Sequence, residues 1–336
     1  MKMPVLQTHN LSIGYGEGHK SKVVVSQLNL QLLEGELVAL LGPNGVGKST
    51  LLRTLSGSQN ALQGDVHLHG VPLSQLNPQD LAKKMSVVLT DRSMIGLMTA
   101  FDVVALGRHP YTDWTSRLSQ QDMEIITTAL SAVGASQYAH RHIDQLSDGE
   151  RQKVMIARAL AQDTPVILLD EPTAFLDLPH RVEVLGLLQR LAQETGKAVL
   201  LSTHDLDHAL RLCDQIWLMG DQGRVVTGAP EDIVLSGALA RAFAGHPYVQ
   251  FDVESGAFVT TKPIYGEINV IGEGASLHWA QRAIERVGFR VVNHGDQDAL
   301  ILRQTSGGWQ FETPHKTKLI ASFYELAQVL NALKQG

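Results

Sequence analysis

Gly42-Pro43-Asn44-Gly45-Val46-Gly47-Lys48-Ser49-Thr50 is the stretch from which the rest of the chain is read. It fits the pattern G-x-x-x-x-G-K-[ST], and each position has a physical reason. Glycines let a loop wrap closely enough for backbone N–H groups to point at phosphate oxygens. Lys48 brings a positive charge to the β- and γ-phosphates, and the Ser49 hydroxyl suits Mg²⁺. A helix beginning at the loop turns its positive dipole end toward the same anion. A chain of this length shows the pattern by accident about once in a hundred times. The apolar strand Leu37-Val38-Ala39-Leu40-Leu41 before it and the helix-forming residues after it lower those odds again. The reading is ATP or GTP binding.

Outward from the loop, short apolar runs alternate with amphipathic ones, the pattern of an α/β architecture. Val166-Ile167-Leu168-Leu169 and Ala198-Val199-Leu200-Leu201-Ser202 read as two more buried strands, with a helix through Arg181–Leu188 between them. Ser119 stands as N-cap of a helix carrying Ile125, Ile126, Ala129, Leu130 and Val133 on one side. Met85-Ser86-Val87-Val88-Leu89 reads as a strand followed by Thr90 and Asp91.

Three further motifs follow in order. Leu146-Ser147-Asp148-Gly149-Glu150 precedes a helix with Val154, Ile156, Ala157 and Leu160. The strand Val166–Leu169 runs into Asp170-Glu171-Pro172-Thr173, with Phe175-Leu176-Asp177 just beyond. Ser202-Thr203-His204-Asp205 closes another strand. Taken singly, each motif has a plainer reading: a helix start, a solvated strand end, a glycine-rich turn at Gly14-Tyr15-Gly16-Glu17-Gly18. His204 and His208 have the i, i+4 spacing of a zinc pair, but no third ligand is evident. His67, His69, His140 and His142 read as surface residues.

Together, from Tyr15 to His204, this ordered set resembles the ABC ATPase family over residues 5–250. The resemblance implies a P-loop NTPase fold of the ABC type with a helical subdomain, and a mechanism in which two subunits face each other head to tail around Mg²⁺ and ATP. It implies that Tyr15 stacks on adenine, and that Gly42, Pro43, Asn44, Gly45, Val46, Gly47, Lys48, Ser49 and Thr50 hold the phosphates. Ser49 and Asp170 serve Mg²⁺, Glu171 polarises the attacking water, and His204 contacts the γ-phosphate. Ser147 and Gly149 of the opposite subunit complete the site, and Asp177 lies in the loop that crosses the interface. Two motifs depart from the family pattern. Asp148 and Glu150 replace two members of the usual Leu-Ser-Gly-Gly-Gln. Thr90 stands where a glutamine normally links metal, water and membrane partner, and its hydroxyl has a shorter reach.

Phe101-Asp102-Val103-Val104-Ala105-Leu106-Gly107-Arg108-His109-Pro110 contains a Val-x-x-Gly-Arg-x-Pro stretch. It resembles the ATPase subunits of importers for ferric siderophores, haem and cobalamin, and marks the surface that meets the membrane partner. The expected partners are a second copy, integral membrane permease subunits and, indirectly, a substrate-binding protein. The alternative is a soluble ABC-type ATPase in regulation, repair or translation. Against it, only about a hundred residues separate the phosphate loop from Ser147, too few for the long coiled coil of repair members. Translation members usually carry two cassettes in one chain.

Composition agrees with this reading. With 44% hydrophobic and 18% charged residues, the chain is ordinary for a globular protein. A formal charge of -6 argues against nucleic-acid binding through bulk positive charge. One cysteine, Cys213, excludes an internal disulfide or a cysteine-cluster metal site. The N-terminus lacks a signal-peptide core, and no apolar run reaches the roughly 18 residues needed to span a bilayer. The membrane channel is therefore expected in another chain, with this one peripheral on the cytoplasmic face of the membrane.

The character changes near residue 250, so residues 1–250 are expected to form the ATPase domain and 251–336 a small α+β accessory domain. Phe251–Gly266 reads as loop-rich and Ile268–Ile271 as a strand. A helix carrying Leu277, Ala280, Ile284 and Val287 follows, ended by Gly288. Strands are expected at Phe289–Val292 and Ala299–Leu302, and a closing helix over Leu319–Leu333.

Overall fold

The computed structural model describes residues 3–16, 22–89, 97–112, 117–220, 223–244, 248–260, 262–292 and 300–334. An antiparallel sheet opens the chain. β1 (Pro4–Tyr15) pairs with β2 (Lys22–Leu28) and β3 (Gln31–Leu33). β4 (Leu37–Leu41) belongs to another sheet and delivers the phosphate loop and then α1 (Lys48–Leu55). β5 (Gln63–Leu68) and β6 (Val71–Pro72) return to the first sheet, whose order is β2-β1-β5-β6 with β3 beside β1.

Next come α2 (Pro78–Lys84), β7 (Met85–Val88), α3 (Ala100–Ala105), a 3₁₀ segment at Leu106–Tyr111, α4 (Gln120–Ala132) and α5 (Asp148–Ala161). β8 (Val166–Asp170), α6 (Leu178–Thr195), β9 (Ala198–Ser202), α7 (Leu206–Leu212), β10 (Gln215–Met219), β11 (Val225–Gly228), α8 (Pro230–Leu235) and α9 (Ala238–Ala242) complete this part. The second sheet has the order β11-β10-β4-β9-β8-β7, parallel except at β11.

Why β4 is apolar at every position follows from what covers it. Leu37, Ala39 and Leu41 enter one core with the helices, whereas Val38 and Leu40 enter another with the first sheet and α1. Ile167 and Leu169 against Val166 and Leu168, and Val199 and Leu201 against Ala198 and Leu200, repeat the alternation on β8 and β9. A parallel sheet buried on both faces requires such strands. Each leucine so enclosed contributes about 1.5–3 kcal/mol. α1 fits between the sheets because Leu51, Leu52 and Leu55 give it a fully buried stripe.

The chain divides into two units, Met1–His246 with Phe251–Phe258, and Pro247–Gln250 with Val259–Gly336. This differs from a single cut at 250/251, because Phe251 is buried in the helix-side core of the first unit. Part of the stretch read as loop-rich is a ribbon of β12 (Val249–Asp252) and β13 (Ala257–Thr260).

In the second unit, β14 (Glu267–Ile271) and α10 (Gly274–Arg286) lead to β15 (Arg290–Val292), then β16 (Leu300–Thr305), β17 (Gly308–Glu312), β18 (Thr317–Ile320) and α11 (Phe323–Leu333). The sheet order is β15-β14-β16-β17-β18, with β14 parallel to both neighbours. Its own core joins Ile268, Val270, Leu302, Trp309 and Phe311 to Ile284, Leu326 and Leu330 of the helices. The closing helix is shorter than expected at its start. Leu319 and Ile320 pair in β18, and Ser322 caps α11 by accepting the Glu325 N–H at 3.2 Å. Ala299 lies outside the described residues.

Candidate functional site

The parallel strands end together, and their ends build the site. Gly42 leaves β4 at φ 150°, where a Cβ would lie 2.4 Å from the Met219 carbonyl, so no other residue fits there. Space over Gly45 is open, since a Cβ there meets nothing within 4 Å. α1 begins behind this loop with no side-chain cap and no acid in its first turn. Its leading N–H groups are thus left to an outside acceptor.

Lys48 is 6% exposed, and its Nζ donates to the carbonyls of Gly42 at 2.8 Å and Pro43 at 3.2 Å. Desolvation pulls its pKa below the usual lysine value, while the charges of Glu171 and Asp170 push the other way. A buried ammonium served by two neutral carbonyls is under-compensated, and a phosphate anion is the group that fits. Tyr15 and Thr50 share a hydrogen bond between their hydroxyls, which fixes Tyr15 beside the first turn of α1 with half its surface exposed.

β8 and β9 bring the second set together. Their register places Asp170 opposite Ser202. The fully buried Ser202 hydroxyl donates to Asp170 Oδ1 at 2.6 Å and accepts from the Glu171 N–H at 2.9 Å. Glu171 Oε1 lies 2.6 Å from His204 Nε2. A cavity of about 330 Å³ opens at this point, lined by Glu171, Thr173, Ala174, Arg181, Thr203, His204 and Asp205. Arg181 is held there by donating to the Leu176 carbonyl at 2.8 Å. The sequence reading missed Ser202 and Arg181 as site residues, and the signal for Ser202 was its place just before Thr203-His204.

Asp170 and Ser49 supply one carboxylate and one hydroxyl. Among the described residues no group of three or more His, Cys, Asp or Glu is placed to hold a metal. Magnesium is commonly bound by one or two carboxylates together with substrate phosphates, so this sparse donor set fits a cation that arrives with a triphosphate. The zinc spacing leads elsewhere: His204 faces Glu171, and His208 Nδ1 lies 2.8 Å from Asp205 Oδ2 without hydrogen-bond alignment.

Ser147 and Gly149 sit at the start of α5, and no hydrogen bond or ion pair of the described residues joins them to Gly42–Thr50. Ser147 caps α5 in a reciprocal box with Glu150. A Cβ on Gly149 would lie 3.1 Å from the Phe175 carbonyl, so α5 starts against the loop that leads to Asp177. Asp177 caps α6 by accepting the His180 N–H at 3.2 Å and also meets the His180 ring, which holds its carboxyl below the usual range. Thr90 and Asp91 lie outside the described residues.

Within the Val-x-x-Gly-Arg-x-Pro stretch, Arg108 is buried. It bonds Asp122 Oδ1 and the Ala161 carbonyl, each at 2.8 Å, and lies over the Tyr111 ring. Leu106, His109 and Tyr111 of the same segment are exposed.

Residues 25–174 match the family described as ABC transporter, and residues 265–331 match the family described as iron ABC transporter C-terminal domain. An uncharacterized ABC transporter ATP-binding protein of Methanocaldococcus jannaschii is 46% identical over 230 residues, 68% of this chain and 78% of that one. The iron(3+)-hydroxamate import ATP-binding protein of Bacillus subtilis is 42% identical over 209 residues, 62% of this chain and 76% of that one. Among solved structures, a dimeric bacterial ABC transporter cassette superposes with a TM-score of 0.61 at 30% identity, covering 67% of this chain and 98% of that one.

Proposed function

The chain belongs to the ATP-binding subunits of ABC transporters, and from that premise we propose that it powers an importer of ferric chelates. ATP hydrolysis comes with the family. The observation that carries the residue-level reading is the Ser202 hydroxyl. It ties the Asp170 carboxylate to the Glu171 backbone while His204 contacts the Glu171 side chain.

In this reading the loop Gly42–Thr50 wraps the phosphates, Lys48 exchanges its carbonyl partners for phosphate oxygens, and Tyr15 stacks on adenine. Ser49 and Asp170 would hold Mg²⁺, which when bound would supply positive charge to the phosphates. Glu171 takes the proton of the attacking water, and His204 orients Glu171 and the γ-phosphate. Two copies of the chain face each other, so that Ser147 and Gly149 of each complete the site of the other and Asp177 lies at the crossing. Thr90 supplies a hydroxyl where the membrane partner is sensed.

Iron-chelate cargo is supported by the hydroxamate-importer relative and by the iron-transporter description of the C-terminal match. Haem and cobalamin are the competing cargoes. We read the first unit, which includes Phe251–Phe258, as the ATPase domain and the second as an accessory domain that strengthens or regulates the dimer. The permease is a separate membrane protein, with a substrate-binding protein upstream and this subunit on the cytoplasmic face. Among the described residues no helix is long and apolar enough to cross a membrane.

The test is reconstitution with the permease that co-purifies. A loaded ferric-chelate binding protein is expected to raise ATP turnover several-fold, with haem and cobalamin giving no such rise. Stimulation by haem or cobalamin alone would move the cargo assignment. Co-purification with no membrane protein would favour a soluble regulatory ATPase instead.

A further inference from the structure

α5 begins with two acids, Asp148 and Glu150, at the helix end that the two-copy reading turns toward a triphosphate. Negative charge there opposes an incoming anion, so the neighbours of these acids matter. Asp148 is 56% exposed and lies 3.9 Å from Arg151, so solvent screens its charge. Glu150 is different. Its Oε2 accepts the Ser147 N–H at 2.8 Å, and Ser147 Oγ accepts the Glu150 N–H at 3.3 Å. Arg141 Nη1 approaches the same carboxylate, 3.6 Å from Oε1. Arg141 is held in that position because its Nη2 donates to the Gln145 carbonyl at 2.7 Å.

The box has a chemical consequence for Ser147. Its oxygen accepts the Glu150 N–H while its own N–H donates to the Glu150 carboxylate. That geometry needs an acceptor at position 150 but not a charge, and a glutamine amide would serve as well. Glu150 therefore brings a removable negative charge to a site for an anion. We propose that Arg141 is a positioning residue of the nucleotide sandwich, cancelling the charge of Glu150 so that the start of α5 receives the triphosphate presented by the opposite copy. This rests on the two-copy reading given above.

The test uses the full-length chain and a charge rescue. Arg141→Ala is expected to raise the KM for ATP about five- to tenfold, from one uncompensated charge near the phosphates. The rise should shrink in high salt as the charge is screened. Binding of a fluorescent ATP analogue to separated subunits should stay at the wild-type value, because the phosphate loop is untouched. Adding Glu150→Gln to Arg141→Ala should return KM to within about twofold of wild type. A double variant as impaired as Arg141→Ala alone would overturn the proposal and reduce Arg141 to a brace for the Gln145 carbonyl. If Arg141→Ala does not fold, Glu150→Gln alone decides: it should lower KM, and an unchanged KM overturns the proposal. The premise is checked separately, since a Glu171→Gln chain that stays a single copy with ATP would remove the two-copy reading itself.

Discussion

Glu171 holds φ at 51°, in the left-handed region that residues with a β-carbon rarely adopt. Such a conformation costs on the order of 1 kcal/mol or more and persists only where the surroundings impose it. Here the Ser202 hydroxyl fixes the Glu171 N–H, and His204 fixes the carboxylate. Replacing Glu171 by Gln keeps size and backbone but removes the group proposed to accept the proton. Turnover should fall by roughly 10²–10⁴-fold while ATP binding survives. Size-exclusion chromatography of the variant with Mg-ATP should show a trapped dimer. Hydrolysis near the wild-type rate would mean that another group takes the proton. The residues assigned to nucleotide in this reading fall in short motifs, and the phosphate loop and Asp170-Glu171 announce themselves by type and spacing. Ser202 does not, because its role arises from the β8–β9 register, which joins residues 32 apart in the chain.

Among the elements, the Gly107-Arg108 segment is a packing joint between helices. A Cβ on Gly107 would lie 2.4 Å from the Arg158 carbonyl of α5, and Arg108 reaches the start of α4 and the end of α5. The motif resembles a partner surface in sequence, but its glycine and arginine hold helices together and leave Leu106, His109 and Tyr111 to face outward. Ser119 is legible in sequence as the cap of α4, whereas the ion pair that its box completes at Asp122 is not.

Hydrogen bonds from Ser119 and then Arg108 pull the Asp122 carboxyl down to about 2 from its ordinary 3.8. A depressed carboxyl stabilises the folded chain above its unfolded value and loses that contribution as pH falls through the folded one. The effect is on the order of 2 kcal/mol. Asp122→Asn should therefore be less stable than wild type by about that amount at pH 7. The gap in urea midpoint should narrow as pH drops from about 4 toward 2. A gap that stays constant over that range would mean that the pair carries no net stabilisation.

For the whole molecule, the place where the first unit ends has a measurable consequence. Phe251 is 4% exposed and meets Phe258, which in turn meets Phe243, so two rings that follow position 250 pack with one that precedes it at the helix-side core. The composition change near 250 is visible in sequence, whereas this return of the chain is not, because a phenylalanine in a loop-rich stretch has no periodicity to reveal its partner. Two truncations differ accordingly. Deleting 261–336 keeps the ribbon and both cores of the first unit. It should leave thermal stability of that unit and ATP binding close to wild type. Deleting 251–336 removes Phe251, and by the cost of emptying a buried aromatic site it should lose about 3–5 kcal/mol. Equal melting temperatures for the two would show that the ring cluster does not stabilise the ATPase unit. The longer truncation product is also the form in which to ask what the C-terminal unit does. If it strengthens the dimer, deleting 261–336 should raise the protein concentration needed for half-maximal ATPase activity while the affinity of a single subunit for nucleotide stays the same. An unchanged concentration dependence, with transport and its inhibition also unchanged, would leave that unit without a part in dimerisation or regulation.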